Sequence, residues 1–141
     1  MILVKKIVFT LSLFFTCYGL SAEVKLPSFI GDGMVLQRNA EVKVWGWASP
    51  SETITINFNN INLETNTNSA GEWMVVLKDL KQGGPHQMVI SGTNTITINN
   101  ILVGDVWLCS GQSNMELPMR RVKPLYKKEI ATAQNSRIRY I

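Results

Sequence analysis

Short segments in which apolar and polar residues alternate are the feature that most limits the fold of this chain. A period of two places the apolar side chains of a segment on one face, as in a β-strand with one face against a core. Turn residues such as Asn59-Asn60 and Gly92-Thr93-Asn94 separate the segments. The pattern predicts that residues 23–100 form a small antiparallel β-sandwich domain. Its predicted strands cover residues 42–45, 53–58, 73–77, 88–90 and 96–98.

An apolar run over residues 101–109, ILVGDVWLC, is followed at once by the small and polar residues SGQSN. Only Gly104 and Asp105 interrupt the run, so it predicts a strand that is buried on both faces of a parallel sheet. Open α/β sheets place their chemistry at the carboxyl ends of such strands. A serine on the turn that follows would have an exposed hydroxyl and an available backbone N–H, as acyl transfer requires. Ser113 is therefore the candidate nucleophile.

The same residues are also compatible with a purely structural role for Ser113. GQSNM lacks the second glycine of the G-x-S-x-G motif, because Met115 occupies that position. Ser113 and Glu116 fit the capping box S-x-x-E, in which both side chains bind N–H groups at the start of a helix. Pro118 follows two residues later, so any helix that begins at Ser113 is predicted to be very short. From these residues by themselves, helix cap and nucleophile both remain open.

The fifteen residues 104–118, GDVWLCSGQSNMELP, resemble the nucleophile block of the sialate O-acetylesterase family, whose catalytic domain is similar to the SGNH hydrolases. The resemblance implies a second, SGNH-like α/β esterase domain that begins at residue 101. Earlier pieces agree with the family in order and spacing: DGMVLQR (32–38), VKVWGWASP (42–50), AGEWMVVL (70–77), GGPHQMVISG (83–92) and NTITINNILVGDVW (94–107).

The resemblance implies a carboxylic ester hydrolase that removes O-acetyl groups from sialic acids or related acetylated sugars. It implies that Ser113 is the nucleophile and that its backbone N–H is one donor of the oxyanion hole. It also implies a catalytic histidine and aspartate in later blocks, since the single histidine, His86, lies in the piece GGPHQMVISG. The chain is then expected to be the amino-terminal part of a longer enzyme and to be inactive by itself. No cofactor and no metal site is expected.

Residues 119–141 indicate one further helix and one further strand. A weak amphipathic helix is predicted over residues 125–134, and residues 137–141 alternate like a strand. With the strand over 101–109 they would form a single βαβ unit, which cannot bury a core of its own. Residues 101–141 are therefore predicted to be the truncated start of the α/β domain.

Residues 1–22 have the features of a signal peptide, with Lys5 and Lys6 before an apolar stretch and an acceptable cleavage site after Ala22. The protein is accordingly predicted to be exported, to a periplasm or outside the cell, with no membrane attachment after cleavage. Loss of Lys5 and Lys6 lowers the formal net charge from +4 to +2, which is too weak to indicate a nucleic-acid partner.

Two other functions remain open at this point. Trp45, Trp47 and Trp73 could form an aromatic surface for a sugar ring, in a free-standing glycan-binding module, or could pack in the core. The chain could also be a non-functional truncated relic that exposes its apolar strand. Cys109 is the one cysteine outside the predicted leader, and its apolar neighbours predict a packed core thiol. His86 is predicted to be structural or exposed.

Overall fold

The chain forms seven strands followed by three short helices in the computed structural model, which describes residues 22–140. Nearly all of the predicted signal peptide, residues 1–21, lies outside the described residues. The strands are β1 (Val35–Gln37), β2 (Val42–Trp47), β3 (Thr53–Phe58), β4 (Ile61–Asn66), β5 (Glu72–Leu77), β6 (Gly83–Ser91) and β7 (Thr95–Gly104). The helices are α1 (Ser113–Glu116), α2 (Met119–Val122) and α3 (Lys127–Ala131).

The strands are arranged in two sheets. The larger is a five-stranded mixed sheet with the order β1-β7-β6-β3-β4, and the smaller is an antiparallel pair of β2 and β5. Within the large sheet β1 and β7 run parallel, whereas the other neighbours are antiparallel. The β3–β4 hairpin turns at Asn59, whose φ of 55° is the left-handed conformation that Asn tolerates.

Apolar side chains from both sheets form one core. Alternation along β3 buries Ile54, Ile56 and Phe58, whose side chains are at most 1% exposed. The smaller sheet contributes Val44 from β2 and Trp73 from β5 to the same core. The alternation therefore predicts the burial correctly, and the domain is small and mostly strand as predicted. The prediction that it is antiparallel is wrong for one pair, because β1 and β7 are parallel and make the larger sheet mixed.

Strand β7 continues through the predicted boundary between residues 100 and 101. Asn100 has a φ of 57°, and the pairing with β6 shifts by one residue between Ile98 and Ile101. Such a bulge inserts one residue, so that Ile101 and Val103 face the same core as Ile98. The apolar residues at 101 and 103 thus belong to the β-domain core. We use "β-domain" for residues 22–104.

The prediction of a strand over residues 101–109 is wrong for its second half. Residues 102–104 do pair in parallel with a neighbour, but that neighbour is β1. Residues 105–112 have no regular structure, and Val106, Trp107 and Leu108 are exposed because no described strand pairs with them. Cys109 is exposed as well, so the prediction of a core thiol is also wrong.

The βαβ unit is not formed in the described residues. The predicted helix over 125–134 is reduced to α3, in which only Ile130 is half-buried. Residues 137–140 are irregular instead of extended in a sheet. Their alternation has no neighbouring strand with which to pair, and strand pairing rather than sequence period stabilises a strand.

Candidate active site

Ser113 is the first residue of helix α1. The preceding residue, Gln112, occupies the N-cap position with φ −103° and ψ −132°, and no side chain accepts a hydrogen bond there. The capping box of Ser113 and Glu116 is therefore not formed. The helix ends after one turn, because Leu117 is extended ahead of Pro118, which confirms the predicted short helix.

The hydroxyl of Ser113 is exposed and makes no hydrogen bond to any described residue between 22 and 140. Its backbone N–H, as the first of the helix, has no intrahelical acceptor. Ser113 as a whole is exposed, and attack on an ester and stabilisation of an oxyanion would require its hydroxyl and its N–H to be accessible. The roles of nucleophile and oxyanion donor stay predictions.

His86 has a structural environment within the β-domain. It lies on β6, is half-buried, and packs edge-to-face on Phe58 with 5.6 Å between ring centroids. The Gly83–His86 segment is the irregular first part of this strand, with shifts in its pairing to β7. The packing partner of His86 is thus a core residue, and no hydrogen bond joins His86 to Ser113 among residues 22–140.

The segment that leads to Ser113 is tied to the β-domain at its start. Arg38, just after β1, donates from Nε to Oδ1 of Asp105 over 2.8 Å and from Nη2 to Oδ2 over 3.2 Å. The Val106 N–H donates to Oε1 of Gln37 over 2.7 Å. The hydrogen bond from Arg38 holds the pKa of Asp105 below its usual value. Desolvation opposes this effect, and the charge of Arg38 and a hydrogen bond from Gln37 add to it.

Sequence reasoning did not find this contact. Arg38 and Asp105 are 67 residues apart, and neither is unusual for a surface. One signal was nonetheless present, because the two residues lie in two of the pieces that resemble the esterase family, DGMVLQR and GDVW. The structure brings those pieces together along β1 and β7: Asp32 at the start of the first accepts the Asn99 N–H over 2.6 Å.

The three tryptophans of the β-domain divide between core and surface. Trp73 is 3% exposed and its Nε1 has no hydrogen-bond partner among the described residues, so it is a core residue. Trp47 is 41% exposed and packs edge-to-face on half-buried Trp45 at 5.1 Å. Phe29 also lies edge-to-face to Trp45, with 6.2 Å between ring centroids. A single aromatic surface of Trp45, Trp47 and Trp73 therefore does not exist.

The described residues hold no group of three or more His, Cys, Asp or Glu side chains that could bind a metal ion. Within residues 22–140 no helix has the length and apolar character needed to cross a membrane.

Comparison with known proteins identifies relatives over most of the chain. Human sialate O-acetylesterase is 31% identical over 110 residues, which cover 70% of this chain. The mouse and rat enzymes are each 32% identical and cover 82% and 86% of it. The crystal structure of a carbohydrate acetylesterase from Xanthomonas citri superposes with a TM-score of 0.67 at 37% identity over 70% of the chain. The chain is a homologue of the sialate O-acetylesterases.

The homology covers a small part of these relatives. The chain spans about a fifth to a quarter of the length of the mammalian enzymes, between 21% and 24%, and 23% of the Xanthomonas citri chain. No family model matches the chain. The resemblance inferred from the sequence pieces is confirmed, and the fold of the matched part is that of a segment of a carbohydrate acetylesterase.

Proposed function

We propose that this chain is the amino-terminal part of an exported serine esterase that removes O-acetyl groups from sialic acids or related acetylated sugars. The homology and the exposed position of Ser113, taken together, support the proposal best. Relatives named as acetylesterases match 70–86% of the chain, and Ser113 is exposed on the segment that carries the resemblance. These relatives favour the esterase over a free-standing glycan-binding module or a relic.

In the proposed reaction, Oγ of Ser113 attacks the carbonyl carbon of the acetyl group while a base removes the hydroxyl proton. The Ser113 N–H donates to the oxyanion that forms, the C–O bond to the sugar breaks, and the sugar oxygen leaves with the proton. Water then hydrolyses the acyl-enzyme to acetate. The base is proposed to be a histidine oriented by an aspartate, both outside this chain, with Ser113 on an SGNH-like domain beside a β-sandwich.

The test is a chimera in which this chain replaces the homologous part of the Xanthomonas citri acetylesterase. We expect hydrolysis of p-nitrophenyl acetate and of an O-acetylated sialic acid, with a loss of at least about a thousandfold in kcat for Ser113→Ala. Ser110→Ala is the matched control, because Ser110 is an exposed serine of the same segment, and it should retain activity. Equal activity of the chimera and its Ser113→Ala variant would refute the nucleophile.

The chain by itself provides a second test. Because His86 packs on Phe58 and does not bond to Ser113, we expect no turnover above that of the Ser113→Ala chain. Turnover that depends on Ser113 in the isolated chain would contradict the claim that an absent histidine is essential.

A further inference from the structure

Two side chains at the end of β1 hold the two residues that follow β7. The guanidinium of Arg38 binds both carboxylate oxygens of Asp105, in the two-pronged geometry that fixes orientation as well as distance. The side-chain oxygen of Gln37 accepts the N–H of Val106. We call this set of contacts the β1 clamp, and it consists of Gln37, Arg38, Asp105 and Val106.

The clamp is itself held in place by the sheet. The N–H of Arg38 donates to the carbonyl of Gly104 over 2.8 Å, which extends the β1–β7 pairing by one bond. The Gln37 side chain donates from Nε2 to the carbonyl of Arg38 over 3.2 Å, so its amide oxygen faces Val106. Both clamp side chains therefore start from backbone that the parallel pairing has fixed.

No other hydrogen bond or ion pair joins residues 105–116 to the β-domain in the part of the chain that the structure describes. Beyond the clamp, Trp107 and Leu108 are 82% and 95% exposed and so do not pack on the β-domain. The direction in which the segment leaves the sheet is thus set at Asp105 and Val106, which precede Ser113 by eight and seven residues.

We propose that Gln37 and Arg38 are positioning residues for Ser113: the β1 clamp fixes the direction in which residues 105 and 106 leave the sheet, and it thereby limits the places that the serine can take relative to the β-domain. The importance of this place for catalysis rests on the proposed function. Water can satisfy the polar groups at an exposed strand end equally well. The end of β7 would therefore not need both contacts if their purpose were only to provide hydrogen-bond partners.

The placement of residue 113 can be measured without any activity. Nitroxide labels would be attached at Glu64→Cys, an exposed position on β4, and at Ser113→Cys, with both native cysteines replaced by serine. We expect the distribution of label distances to broaden about twofold when the clamp is broken by Asp105→Asn or Arg38→Lys, the latter keeping the charge but losing the fork. Glu41→Gln is the matched control, because it removes the exposed Glu41–Lys78 ion pair and leaves the clamp intact. An unchanged distribution in both clamp variants would overturn the proposal.

Activity supplies the second readout, in the chimera described above. We expect Asp105→Asn and Arg38→Lys to lower kcat about tenfold with KM within about twofold of the parent. A broadened distribution with unchanged kcat would refute the positioning role in catalysis. A broadened distribution in a chimera that hydrolyses no ester would instead sink the proposed function and support the clamp, so the two failures are distinguishable.

Discussion

The β-domain and the segment that follows it, residues 105–140, differ in how their apolar side chains are placed. Residues 22–104 hold every buried side chain of the described structure, including Phe58, Ile90 and Ile101 at 0% exposure. Among residues 105–140, no side chain whose burial the structure describes is buried, although Trp107, Leu108 and Leu125 are as apolar as the core residues. Apolar character is thus common to both regions, and only the first has strands that can pair and enclose it.

The difference shows that the two regions have separate requirements. The β-domain obtains its stability from its own contacts, whereas the segment carries the candidate nucleophile and depends on the β1 clamp for its start. Exposed loops commonly carry chemistry on a rigid scaffold. We therefore expect mutations in the two regions to separate into effects on unfolding and effects on placement of Ser113.

Aromatic truncation should give the largest contrast between the regions. Phe58→Ala should lower the free energy of unfolding by about 3–5 kcal/mol, because Phe58 is completely buried and contacts His86. Trp107→Ala, the matched control in the segment, should change it by less than about 0.5 kcal/mol, because its side chain is 82% exposed. Urea unfolding of the purified chain followed by circular dichroism measures both. If both variants lost a similar free energy of unfolding, Trp107 would have to be packed against other residues, and the distinction between the two regions would be wrong.

Glycine substitutions should give the next largest contrast. A Cβ at Gly46 would collide with the carbonyl oxygen of Lys25 and lie 2.9 Å from the Trp73 ring, neither of which can move away. Gly46→Ala should therefore cost about 1–3 kcal/mol. A Cβ at Gly111 would meet Cγ of Met115 at 2.8 Å, but that side chain is 52% exposed and can rotate. Gly111→Ala should cost less than about 0.5 kcal/mol in the same unfolding measurement, and a larger loss would mean that residues 111–115 are packed.

The β-domain was largely predictable because its signal is local. Alternation identified five of the seven strands, and the periodicity of Thr53–Phe58 matches its burial residue by residue. The other two strands gave too little signal: β1 has three residues, and β4 is a half-buried strand at the edge of its sheet. The continuation of β7 past residue 100 was missed because a bulge at Asn100 interrupts the period of two.

The candidate site was predictable only in part. The role of Ser113 stays a prediction that rests on the resemblance of residues 104–118 to the esterase family, whereas its short helix followed from Pro118. The prediction of a βαβ unit was wrong because the apolar and alternating patterns of residues 105–109 and 137–140 cannot show whether a partner strand is present. The Arg38–Asp105 contact depends on parallel pairing between segments 67 residues apart, which local patterns do not encode.

A carboxylate in the β-domain should give a smaller, pH-dependent effect. Glu52 is partly desolvated, which by itself raises its pKa, but the N–H groups of Thr93 and Ser49 donate to its two oxygens and lower it on balance. Its stabilising contribution is therefore complete above the ordinary value of 4.5 and is lost as the pH falls through the lower value of the folded state.

Glu52→Gln should consequently cost about 1 kcal/mol at pH 7, since one amide nitrogen replaces an acceptor, and progressively less below pH 4.5. Glu64→Gln, at an exposed position of β4, is the control and should change nothing at either pH. Urea unfolding at several pH values tests this. A difference between parent and Glu52→Gln that stays constant through the acid range would show that the carboxylate is not selectively stabilised by folding.

The two exposed ion pairs found within residues 22–140 should show the smallest effects and sharpen the comparison most directly. Hydrogen bonding and charge from the basic partner lower the pKa of Asp105 beside Arg38 and of Glu41 beside Lys78. In a carboxyl-carbon titration by NMR, Arg38→Gln should raise the Asp105 pKa toward its ordinary 3.8, and Lys78→Gln should raise that of Glu41 toward 4.5. Neither substitution should move the urea midpoint beyond its error, because exposed pairs contribute little to stability.

The two ion pairs join different parts of the molecule, and this difference allows a direct test of the comparison. Lys78–Glu41 connects residues next to β5 and β2 within the β-domain, whereas Arg38–Asp105 connects the β-domain to the segment. Hydrogen exchange at Val106 should therefore accelerate in Arg38→Gln and stay unchanged in Lys78→Gln. If exchange at Val106 accelerated equally in both, the two regions would share one cooperative unit. The division between a self-supporting β-domain and a clamped segment would then be wrong.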